Sequence, residues 1–197
     1  MEAFPAAILS AAHLYAALGR RECREPGQDR GLKCSSSGLH PRSMTTRALA
    51  IGLGNEYRSD DAAGRAVARK LKASALDEFC VKEESGEGGA LIEAWKDANF
   101  VVLVDAIESG ALPGTIRRMD ARTTVIPSEL FHCSSHGFGV SEAIELARAL
   151  ERLPAGLIVY GIEGGNFALG TGFSPEVEAA DEVVRRVKDE LYTNSHS

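Results

Sequence analysis

From residue 48 onward the hydrophobic positions alternate between two rhythms. A continuous apolar run at 48–53 ends at a glycine, which predicts a strand buried on both faces. From 60 to 76 the spacing becomes helical, with Ala63, Ala66, Val67 and Leu71 on one side. Ser59 is the predicted N-cap of that helix. Asp60 and Asp61 fall in its first turn, at the positive end of the helix dipole. A second strand is predicted at 79–84, a glycine-rich loop at 85–89, and a short helix at 91–97 carrying Trp95, the only tryptophan. The strongest strand is Phe100-Val101-Val102-Leu103-Val104-Asp105, five apolar residues ending in an acid.

Beyond it, 106–114 reads as a loop closed by Pro113-Gly114, and 115–120 as another strand. Residues 127–139 have no period and hold His132, Cys133, Ser134, Ser135 and His136. A helix follows at 140–152, with Ala143, Ile144, Ala147 and Leu150 on its inner stripe. A buried strand is predicted at 157–162 and a glycine-rich exit at 163–173. A final amphipathic helix runs from Ser174-Pro175-Glu176 to Leu191, with proline at its first position. Strands alternating with helices predict an α/β fold, a three-layer sandwich with a mainly parallel twisted sheet flanked by helices. No internal repeat is visible, and 44–197 is expected to be one domain.

The first 43 residues behave differently. An apolar stretch at 6–18 is preceded by Glu2 and followed by Arg20-Arg21, the wrong order for a secretory signal. From 20 to 43 the composition turns to Arg, Gly, Pro and Ser without periodicity, which reads as disorder. The expectation is that translation starts at Met44; a targeting or regulatory extension is the alternative. Charge divides at the same place. Residues 1–43 carry a net +2 and residues 44–197 a net −8, giving −6 for the 197-residue chain. An acidic chain excludes a general nucleic-acid or anionic-membrane binder. Four cysteines without C-x-x-C spacing exclude a disulfide framework or a structural zinc site and favour a reducing cytosol. No apolar run reaches the length of a membrane span. A cytoplasmic monomer is expected.

Candidate chemistry gathers at one edge. In an open α/β sheet, the loops after the carboxyl ends of the strands share a rim. Here that rim collects Asn55, Asp60 and Asp61 from the first junction and Asp105 from the central strand. The 134–139 loop joins them if it folds over the same edge. Two carboxylates and an imidazole can hold zinc, nickel or iron, or two carboxylates can act as an acid/base pair. A lone acid at a helix start ordinarily serves the dipole, and a loop histidine is ordinarily a surface residue. Asp105 differs, because five buried residues deliver it to the edge. The glycine loop lacks the third glycine of G-x-G-x-x-G, and there is no G-K-[ST]. Acids at a helix start also repel phosphate. A G-x-S-x-G elbow is absent, and Cys133 with His136 is weak support for a thiol hydrolase.

The motifs taken together resemble a known family. Ile51 to Gly64, spaced as G-x-G-N-x-x-x-x-D-D-x-x-G, resembles the opening signature of the hydrogenase maturation proteases. Val104-Asp105-Ala106-Ile107 is similar to their second acidic motif, and Ser135-His136-Gly137-Phe138-Gly139 to their histidine loop. Tyr160-Gly161-Ile162-Glu163 resembles their late strand and its exit. Thr171-Gly172-Phe173-Ser174-Pro175-Glu176-Val177 resembles the turn opening their last helix.

The resemblance implies an endopeptidase that removes the C-terminal extension of a [NiFe]-hydrogenase large-subunit precursor after nickel insertion. Nickel arrives with that partner and is not tightly held by the protease. By motif position, Asp61, Asp105 and His136 are the implied metal contacts, and Asp61 and Asp105 the implied catalytic residues. Asp60 reads as the helix-capping neighbour of Asp61, and Glu108 as a possible extra rim carboxylate. The 85–89 loop departs from the D-G-G-T-like sequence of relatives, which bears on which hydrogenase is processed. Other classes stay open: a non-cleaving chaperone for a nickel-bearing precursor, a metallohydrolase holding its own zinc or nickel, and, more remotely, a spore-protein peptidase of related fold.

Overall fold

A computed structural model describes residues 48–74, 79–131, 138–178 and 181–195. Five strands form one sheet: β1 (Ala48–Gly52), β2 (Cys80–Glu83), β3 (Phe100–Ile107), β4 (Ile116–Asp120) and β5 (Gly156–Glu163), in the order β2-β1-β3-β5-β4. β1, β2, β3 and β5 are parallel, and β4 runs antiparallel to β5 at the edge. The helices are α1 (Ala63–Ala73), α2 (Gly88–Trp95), α3 (Val140–Ala149), α4 (Pro175–Glu178) and α5 (Asp181–Ser195). The mixed, mostly parallel sheet with helices on both sides is the α/β architecture that the sequence pattern predicts.

The strand pleat sorts the core. Phe100, Val102, Val104 and Ala106 alternate along β3 and join Ala63, Val67 and Leu71 of α1 and Val183, Val187 and Leu191 of α5 in one apolar cluster. The intervening residues Val101, Leu103, Asp105 and Ile107 therefore point to the opposite face. Helices α2 and α3 pack together on that side, burying Leu91, Ile92, Trp95, Ala143, Ile144 and Ala147. All eight residues of β3 and all five of β1 are buried, as a strand covered on both faces requires.

Three local expectations need correction. The helix predicted at 60–76 begins with a 3-10 turn, Ser59–Ala62, and only then becomes α1. Ser59 is not its N-cap: no side chain caps either segment, and Ser59 sits at φ +47°. The tight turn forms because Asp60 is drawn away from its own helix toward the exit of β5, as described below. The helix predicted at 91–97 starts three residues earlier, because the Glu87 carboxylate accepts the N–H groups of Gly89 and Ala90 and caps it. The strand predicted to end at Asp105 continues to Ile107, where Asp105 pairs with Gly161 and Ile107 with Glu163 of β5. The final helix predicted from 174–176 to Leu191 is described as two segments, α4 from Pro175 and α5 from Asp181 to Ser195, with 179–180 outside the described residues. The expectations for residues 1–43 lie outside the described residues.

Candidate active site

β1 and β3 lie side by side, with Gly52 opposite Val104. The strand after β1 lies to one side as β2 and the strand after β3 to the other as β4, so the carboxyl edge between β1 and β3 is the switch point at which open α/β sheets keep their ligand crevice. Its two walls carry Asp61 and Asp105.

Close packing shapes the first wall. Leu53 donates its N–H to the Val104 carbonyl (2.8 Å), and Arg65 donates its N–H to the Leu53 carbonyl (3.1 Å). The first turn of α1 is thereby pressed against both strands. A Cβ at Gly64 would lie 2.1 Å from the Val104 carbonyl oxygen, so only glycine fits there. At Gly54, φ is +119° and a Cβ would lie 1.7 Å from the Asp61 carbonyl oxygen. The loop thus folds back over the turn that holds Asp61. Asn55 donates its N–H to Asp61 Oδ2 (2.9 Å), while its own Oδ1 accepts the Tyr57 N–H (3.0 Å). These contacts fix the Asp61 carboxylate, which is half-buried.

The second wall is Asp105, buried at 8% exposure on the α2/α3 side of β3. Its Oδ1 accepts the N–H of Ala106 (2.9 Å). Burial, and next the charge of Asp61, push its carboxyl well above the usual carboxylate range, with the Ala106 N–H opposing. The two acids are therefore close enough to repel, and a cation between them would relieve both effects. His136, the third expected contact, lies outside the described residues, as do His132, Cys133, Ser134 and Ser135. The described residues flanking that stretch are tied to the same rim. The Leu130 carbonyl accepts the Glu108 N–H (2.8 Å), and the Phe138 carbonyl accepts the Gly88 N–H (3.1 Å) at the start of α2. Among the described residues no three His, Cys, Asp or Glu side chains group as a metal site.

Asp60 is a structural hub and does not cap its helix. It is fully buried, and its oxygens accept the N–H groups of Gly165 (2.9 Å), Asn166 (2.9 Å) and Ser174 (2.7 Å) and the Ser174 hydroxyl (2.9 Å). Burial works to raise its pKa, but these hydrogen bonds outweigh it and hold the carboxyl below its usual value. The sequence reading also missed Glu163. Buried at the end of β5, it accepts the N–H (2.8 Å) and hydroxyl (2.7 Å) of Ser109 and the N–H of Ala111 (3.1 Å). Its placement at the exit of a buried strand was a signal, the same one that picked out Asp105. Glu108 is exposed on the rim.

A family model described as "HycI: Hydrogenase maturation protease" matches residues 66–190. The chain belongs to the hydrogenase maturation protease family. The matched span includes Asp105 and His136 and begins just after Asp61. Solved structures of hydrogenase maturation proteases share the fold. One is a [NiFe] hydrogenase maturation protease HycI from Thermococcus kodakarensis KOD1, at 28% identity and TM-score 0.55, covering 76% of this chain and 95% of that one. Another is the hydrogenase maturating endopeptidase HybD from E. coli, at 22% identity and TM-score 0.60, covering 75% and 91%. A third is the [NiFe] hydrogenase maturation protease HybD from Thermococcus kodakarensis, at 25% identity and TM-score 0.54, covering 74% and 98%. No curated protein matches the chain. As a hydrogenase maturation protease, the chain carries a sheet-edge crevice with two acids at the place where this architecture keeps its ligands.

Proposed function

We propose that this protein is an endopeptidase that removes the C-terminal extension of a [NiFe]-hydrogenase large-subunit precursor, and that it does so once the precursor carries nickel. Family membership supports the protease and its class of substrate. The observation that carries the nickel reading is the Asp61–Asp105 pair. A buried carboxyl that is costly to ionise beside a second, better solvated one makes a site that gains most when a cation arrives with its ligand. Carboxylate and imidazole donors suit nickel, and His136 is the imidazole that the family motif supplies to complete the set.

Nickel is cargo here, brought by the substrate. Held between Asp61, Asp105 and His136, it fixes the precursor's tail so that the scissile bond lies beside the two acids. The cation can polarise the scissile carbonyl. The two carboxylates, with Asp105 inclined to hold its proton, serve in this reading as an acid/base pair for an attacking water. The decisive experiment offers the purified protein nickel-loaded and nickel-free precursor and follows the mass of the precursor's C-terminus. Shortening of the loaded form alone is the expected result. Equal cleavage of both forms would rule out nickel sensing. Binding of the loaded precursor without any loss of mass would make the protein a chaperone for it.

A further inference from the structure

Six large hydrophobic side chains stand exposed among the described residues, and three of them lie on the loops that leave the carboxyl ends of β1, β3 and β5. They are Tyr57 after β1, Leu112 after β3 and Leu169 after β5. The two leucines are the most exposed of the six, at 81% and 85%. Single exposed hydrophobic residues are ordinary on protein surfaces. These three differ because they share one edge and sit on loops that are tied together.

Tyr57 and Leu169 lie on neighbouring chain segments. The Tyr57 carbonyl accepts the Gly170 N–H (3.0 Å), and the Gly170 carbonyl accepts the Ser59 N–H (3.1 Å). Leu112 is joined to the same assembly through the next two residues. The Pro113 ring lies against Gly165, where a Cβ would be 3.0 Å from its Cγ, and Gly114 donates its N–H to the Glu163 carbonyl (2.8 Å).

Two buried carboxylates hold this arrangement in shape. Glu163 grips Ser109 and Ala111 just before Leu112, and Asp60 grips Gly165, Asn166 and Ser174 on both sides of Leu169. A buried charge is unfavourable unless donors satisfy it, as they do here. Those bonds seat the loops, whose Phe167 and Phe173 pack against the core, while Leu112 and Leu169 are left facing solvent. Rigid, exposed apolar side chains are what a binding surface needs, because their ordering cost is already met before a partner arrives.

We propose that Tyr57, Leu112 and Leu169 form a preorganised apolar docking rim for the folded body of the precursor, with Asp60 and Glu163 as the positioning residues that set its shape. The occupant is the nonpolar surface beside the precursor's C-terminal tail. A tail threaded into the crevice brings that surface over this edge, so the rim continues the site directly. The inference rests on the processing reading above and adds to it where the precursor's body sits.

The test is steady-state processing of nickel-loaded precursor by the wild type, a Leu112→Ser/Leu169→Ser double variant, Tyr57→Ser and Glu163→Gln. The serine substitutions fall on exposed positions, and thermal melting checks that the fold is kept. The expected result for the double variant is a KM raised about tenfold with kcat nearly unchanged, as for a lost binding contact. Glu163→Gln is expected to raise KM in the same sense while kcat holds. A wild-type KM in the double variant, or a fall in kcat with KM unchanged, would overturn the rim. A wild type that leaves the precursor uncut would instead overturn the processing reading, and the rim with it. Sedimentation of wild type and double variant adds one further arm. Self-association that disappears in the double variant, with KM unaltered, would assign the patch to a second copy of this chain and overturn the proposal.

Discussion

At the scale of single residues, the two adjacent acids of the first motif have opposite electrostatic fates, and each predicts a different response to pH. Asp60 has a carboxyl pKa lowered by its set of donors. Such a group stabilises the fold above its unfolded pKa of about 3.9 and loses that contribution as pH falls through the folded value. Asp60→Asn turns one acceptor into a donor that faces N–H groups. It is expected to cost about 3 kcal/mol at neutral pH, measured by urea unfolding, and to flatten the acid limb of the stability profile. Asp105 runs the other way, since burial and then Asp61 raise its pKa. A carboxyl with a raised folded pKa favours folding fully below its unfolded pKa, and that contribution disappears as pH rises through the folded value. At neutral pH the burial of Asp105 therefore works against the fold, through ionisation or through the proton it holds, and Asp105→Asn removes that penalty. The variant is expected to gain about 1 kcal/mol at pH 7 and to lose that advantage near pH 4, while processing stops. A variant that kept full activity would take Asp105 out of the mechanism.

At the scale of elements, the periods in the sequence were sufficient for the strands and for most helices, because burial on both faces of a central sheet leaves continuous apolar runs. What they could not show is where distant segments meet. The turn at Ser59–Ala62 departs from a regular helix start because Asp60 bonds residues 105, 106 and 114 positions later in the chain. No local signal in the first motif reports those partners. The early start of α2 was more accessible, since Glu87 stands before Gly88-Gly89 as a carboxylate that can reach two free N–H groups. The motif glycines also acquire a physical reason. Gly64 lets α1 lie against the Val104 carbonyl, and through that contact it sets the position of the turn bearing Asp61. Gly64→Ala is expected to push α1 off the sheet at a cost of about 2 kcal/mol in chemical denaturation, in the range of other overpacked sites. Because Asp61 moves with the helix, precursor cleavage should fall further than the lost stability explains.

At the scale of the whole molecule, the site is a product of topology. Strand order places β1 beside β3, and the chain departs from them in opposite directions, so acids 44 positions apart in sequence face one crevice. The alternation of elements made that edge predictable, although β3 carries Asp105 two residues inside its end and not at it. The hubs at Asp60 and Glu163 were not legible as hubs, because their role depends on loops that only the folded sheet brings together. The two outer strands carry a separate consequence. β2 spans four residues and β4 five, and their side chains include Lys82, Glu83, Arg117 and Arg118. Short, charged margins resist the addition of another chain's backbone. A client polypeptide is thus denied the strand-by-strand annealing that an open sheet would otherwise invite. Under the proposed processing the client engages end-on, through its tail, and that manner of approach would itself exclude proteins whose terminus is folded away.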